Sequence, residues 1–106
     1  MANPWTGEVA LVIDGVARDM KLTLGALAEL EASLGTGSLM DMVERFERGG
    51  FSARDVLAVV AAGLSGGGCD LTAADLAQAE IRGGPMAAAR AAALLLSRAF
   101  ALPGET

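Results

Sequence analysis

Histidine and tyrosine are absent from the 106 residues, and cysteine and lysine occur once each, as Cys69 and Lys21. Each scarcity excludes something. Without His the chain lacks the commonest general base and the commonest transition-metal ligand. A single Cys permits neither an intramolecular disulfide nor a Cys-rich zinc site. Basic residues number 8 against 13 acidic ones, for a net charge of −5. They are scattered, so there is no basic patch to neutralise phosphates or an anionic bilayer, and neither nucleic acid nor membrane is expected as a partner. A bilayer span needs about 20 apolar residues. The longest apolar stretch, residues 86–102, is interrupted by Arg90, Ser97 and Arg98. Met1-Ala2-Asn3-Pro4-Trp5 lacks the basic and then apolar run of a signal peptide. The expectation is a soluble, cytosolic protein.

What the chain has in quantity is apolar matter. It is 53% hydrophobic, with 22 Ala and 15 Leu. That argues against disorder, and the length suits one domain over residues 1–106 with one modest core. Glu8-Val9-Ala10-Leu11-Val12-Ile13 reads as a strand, Asp14-Gly15 supplies the positive φ angles of a tight hairpin, and Val16 to Leu22 alternates as the second strand. Val16, Met20 and Leu22 are expected to share its inner face, with Arg18 at the edge. A lone hairpin is marginal in water, so it must lie on helices or pair with another chain.

Helices follow. Thr23 caps one over about Leu24–Leu34, and Ser38 another over about Leu39–Arg48, with Asp41–Arg45 and Glu44–Arg48 at ion-pair spacing. Ser52 and Asp55 form a capping box for Ala53–Leu64, with Phe51 placed to staple onto Val56. Thr72 and Asp75 repeat the signal for about Ala73–Arg82. Two copies are too few to read as a helical repeat. Pro85 starts a last helix, to about Ala101. The fold class is α+β, mostly α: a hairpin over 8–22, four to five short helices over 24–101, and tails at 1–7 and 102–106.

Candidate chemistry is sparse. Gly66-Gly67-Gly68-Cys69 lacks the Lys and Ser/Thr of a phosphate loop, and the thiol has no His to activate it, so the segment reads as a flexible linker. Asp70 and Asp75 have no calcium-loop spacing. No catalytic residue, metal ligand or cofactor is assigned, and the chain is not expected to be an enzyme. The helices Ala53–Leu64 and Pro85–Ala101 are apolar almost all round. Either they pack on each other or part of their surface receives another chain. The candidate partner-binding residues are Val59, Val60, Leu95, Leu96 and Phe100, with Met40, which lies off the Leu39–Met42–Val43–Phe46 stripe, and Trp5, either an interface anchor or a lid on the hairpin.

Trp5-Thr6-Gly7-Glu8-Val9, the Asp14-Gly15 turn and above all Leu22-Thr23-Leu24-Gly25-Ala26-Leu27-Ala28-Glu29-Leu30-Glu31 resemble a family of small phage tail proteins. It is the tail assembly chaperone family of gene transfer agents, the phage-like particles of alphaproteobacteria. The resemblance implies a non-enzymatic chaperone that binds the tape measure protein and assists tail tube assembly, with tape measure and tail tube proteins as partners. The alternative it leaves is a structural tube subunit retained in the particle. Self-association through the hairpin edge or the apolar helices fits either.

Overall fold

A computed structural model describes residues 8–34 and 37–100. Strands β1 (Val9–Ile13) and β2 (Val16–Met20) form an antiparallel hairpin, with Ile13 opposite Val16 and Val9 opposite Met20. Asp14 and Gly15 turn it with φ of 51° and 80°, the two positive angles that match the twist of a two-residue hairpin. Five helices follow: α1 (Leu24–Ser33), α2 (Leu39–Arg48), α3 (Ala53–Gly66), α4 (Ala73–Gln78) and α5 (Gly84–Ala99). This is the expected α+β, mostly α class.

The start signals act as local chemistry dictates. The Thr23, Ser38, Ser52 and Thr72 side chains each accept from a backbone N–H in the first turn, and Asp41, Asp55 and Asp75 return the bond to complete three capping boxes. Helix α5 starts differently, from Gly83 in the left-handed region with Pro85 in its first turn.

The core lies between the hairpin, α3 and α5. Val9, Leu11 and Ile13 of β1 point into it with Met20, against Val59, Val60 and Leu64 of α3 and Ala92, Leu95 and Leu96 of α5. Helices α3 and α5 therefore bury each other, as the first of the two readings required. Val16, expected inward, is instead 48% exposed, because the helices cover β1 and only the far end of β2.

Two segments depart from the sequence reading. Gly66-Gly67 is a contact rather than a linker. A Cβ on Gly66 would lie 1.9 Å from the Lys21 carbonyl oxygen, and one on Gly67 would lie 2.2 Å from that of Asp19. Only glycine lets the end of α3 rest on the backbone of β2, and Lys21 N–H donates to the Gly63 carbonyl beside it at 2.9 Å. The second departure is α4, which stops at Gln78 instead of Arg82 because the chain turns extended at Ala79 and runs along β1 to Ile81. Ile81 bridges Ile13, Arg82 N–H donates to the Val12 carbonyl at 3.1 Å, and Asp14 N–H donates to the Glu80 carbonyl at 2.7 Å.

Candidate interaction surface

Among the described residues, no group of three or more acidic or thiol side chains converges as a metal would need, and no helix is long and apolar enough to cross a membrane. What the fold presents is surface. The outer edge of β1 is taken by the extended segment at Val12 and by the Arg98 guanidinium, which donates to the Glu8 carbonyl. The outer edge of β2 is exposed from Val16 to Arg18, up to the Asp19 carbonyl that the end of α3 covers, and the exposed Arg18 and Asp19 supply the charges that blunt an edge against indiscriminate pairing.

The candidate residues divide. Val59, Val60, Leu95 and Leu96 are 2% exposed or less and face the chain's own core. They cannot meet a partner while the domain is folded, since α3 and α5 already cover each other. Met40 is 57% exposed on the solvent side of α2, and Phe100 is 37% exposed just beyond α5. Trp5 lies outside the described residues. The partner surface expected from these seven positions thus narrows, among described residues, to Met40 and Phe100.

Two exposures are larger: Leu24 at 84%, which sequence reasoning passed over, and Met86 at 70%, which it weighed with Met20, Met40 and Met42 as an adaptable face but favoured as core. Both occupy first turns, directly after the cap Thr23 and after Pro85, where a side chain projects beyond the packed face of its helix. Met86 stands beside an apolar groove of about 500 Å³ between α3, α4 and α5, floored by Val56, Leu57, Leu76 and Ile81. The early end of α4 opens this groove, so no local pattern announced it. A second groove, about 270 Å³, runs between β1 and α5 and is flanked by Arg82 and Arg90.

The corner between α2 and α3 is polar and carries an ion pair. Arg45 was expected to pair with Asp41 on its own helix. It donates instead to both oxygens of Asp55, at 3.0 Å each, while Asp41 is held in its capping box. Glu44 and Arg48 do not close within ion-pair distance either. Burial alone would raise the Asp55 carboxyl. The bonds from Arg45 and from the Ser52 N–H and hydroxyl outweigh it and hold the group below the usual carboxylate range. Asp75, fully exposed, is also lowered, by the backbone and then the side chain of Thr72. Phe51, paired with Val56 by its sequence position, has its ring stacked on Phe46 at 4.7 Å and 5°. Glu29 accepts from the Ser65 hydroxyl at 2.9 Å, tying α1 to α3. These contacts brace the helices; none assembles a nucleophile, a base and a binding cleft together.

Residues 6–102 match the model of a family described as "Phage tail tube protein, GTA-gp10". No curated protein and no solved structure matches the chain. The family description overturns the assembly chaperone reading drawn from the resemblance, and it agrees with the alternative, a subunit of the tube itself.

Proposed function

The chain belongs to the GTA-gp10 family of phage tail tube proteins, and from that membership we propose that it is a structural subunit of the tail tube of a gene transfer agent, retained in the finished particle. The observation that carries the reading is the family match, which spans residues 6–102. Physical features support it. A tube subunit must touch like subunits through patches on different sides, and Leu24, Met40 and Met86 place exposed apolar side chains on three different helices. It performs no chemistry, and the side chains bridging its elements are hydrogen-bonded in structural roles. Assembly takes place in the bacterial cytoplasm, with further copies of the chain as its principal partners.

The test is an inventory of purified particles by quantitative mass spectrometry. The expected result is this chain at many copies per particle. Its absence from finished particles, with abundance in the producing cells, would overturn the reading.

A further inference from the structure

The chain is acidic overall, yet residues 81–100 carry Arg82, Arg90 and Arg98 and no acid. Arg98 is engaged with the Glu8 carbonyl, whereas Arg82 and Arg90 are exposed on the flanks of the groove between β1 and α5. Val12, Ala87, Ala91 and the partly exposed Leu94 give that groove an apolar floor. The reverse pattern stands on α2. Met40, Glu44 and Glu47, spaced four and three apart, share one solvent-facing stripe. Arg45 is drawn away from that stripe to Asp55.

The two patches match in order as well as sign. Leu94 and Arg90 are one turn apart on α5, and Met40 and Glu44 are one turn apart on α2, about 6 Å in each case. With the two helices antiparallel, Met40 can cover Leu94 while Glu44 meets Arg90, and Glu47 then lies on the side toward Arg82. The stripe shares no residue with the groove, and only its Glu47 reaches the junction between α2 and α5. Helix α2 meets α5 through Ala93, Leu96 and Ser97, whereas the groove is lined by the face of α5 that carries Ala87, Arg90 and Leu94.

We propose that the β1–α5 groove is the docking site for the Met40–Glu44–Glu47 stripe of a second copy of this chain. The contact is heterologous, a different patch on each partner, so it repeats from copy to copy and builds a ring or a helical stack rather than a closed pair. It deepens, and rests on, the tail tube reading. Opposite charges flanking an apolar contact set orientation and register, and weaken with salt.

Charge reversal tests it. Three samples of the full chain are compared by sedimentation velocity at low ionic strength: wild type, an Arg82→Glu/Arg90→Glu variant and a Glu44→Arg/Glu47→Arg variant, with circular dichroism confirming that each is folded. The wild type is expected to self-associate, less so with added salt. Each variant alone is expected to lose association by roughly tenfold or more, since its groove and stripe then carry the same sign. Mixed at equal amounts, the two variants are expected to recover it as an alternating assembly. A wild type that stays monomeric, a variant that associates like wild type, or a mixture that does not recover would each overturn the contact. The particle inventory decides the tube reading separately, so the two can fail independently.

Discussion

Arg45 at the end of α2 holds Asp55 at the start of α3 through two parallel 3.0 Å hydrogen bonds, and the same carboxylate closes the Ser52 capping box. One side chain therefore fixes both the start of a helix and the angle at which its predecessor arrives. A charge-assisted fork of this kind is geometrically more demanding than a surface ion pair. Replacing Asp55 by Ala is expected to lower the thermal midpoint more than replacing Ser52 by Ala. The latter removes the hydroxyl side of the cap, worth about 1 kcal/mol. Equal effects in thermal melts would show that the Arg45 fork adds nothing.

The same group sets an acid limit. Asp55 and Asp75 titrate lower in the folded chain than unfolded. In acid the unfolded chain therefore binds more protons, so stability falls with pH. The contribution is complete above an unfolded carboxylate value of about 4 and is lost as pH drops through the lower folded values. Urea midpoints are expected to fall below about pH 4, and an Asp55→Asn variant should show a flatter decline over that range. An identical slope in the variant would assign the acid limit to other groups.

The glycines at the end of α3 admit a sharp comparison. Gly66→Ala must displace the Lys21 carbonyl or the helix, and is expected to cost about 1–3 kcal/mol or more, the range of overpacking. A Cβ on Gly50 would have nothing within 4 Å, so Gly50→Ala is expected to be near neutral. Chemical denaturation of both variants checks the pair.

Core and surface candidates separate in the same way. Leu95→Ala opens a cavity between α3 and α5 and is expected to cost about 2–5 kcal/mol. Met40→Ser, on the solvent side of α2, should shift stability by no more than about 0.5 kcal/mol. Comparable losses would mean that Met40 packs within the monomer.

The sequence yielded what is decided locally. Ser or Thr followed three residues later by Asp marked the starts of α3 and α4, because the capping box needs only those two side chains and the backbone between them; at α2 the Ser38 cap was legible, but its return partner Asp41 was assigned to Arg45. Asp14-Gly15 marked the hairpin for the same reason. It did not yield contacts whose partners are distant. Nothing near Ile81 says that it leaves α4 to bridge Ile13, and nothing near Gly66 says that a strand carbonyl will lie against it. The candidate surface failed at this same point. Val59, Val60, Leu95 and Leu96 were legible as apolar, but only the fold tells which helix covers them, and here each pair covers the other.

The hairpin's attachments also carry a meaning in time. Asp14 is tied to Glu80, 66 positions later, and the Glu8 carbonyl to Arg98, 90 positions later. The hairpin is synthesised before these partners, and two strands alone are barely stable in water. Contacts this far apart along the chain form slowly and late. On the ribosome, then, the order of appearance and the order of consolidation run opposite ways. The edge of β1 stays unclaimed until the helix that shields it has been made, and a nascent copy cannot offer its arginine-flanked groove to a neighbour before its own α5 has left the ribosome.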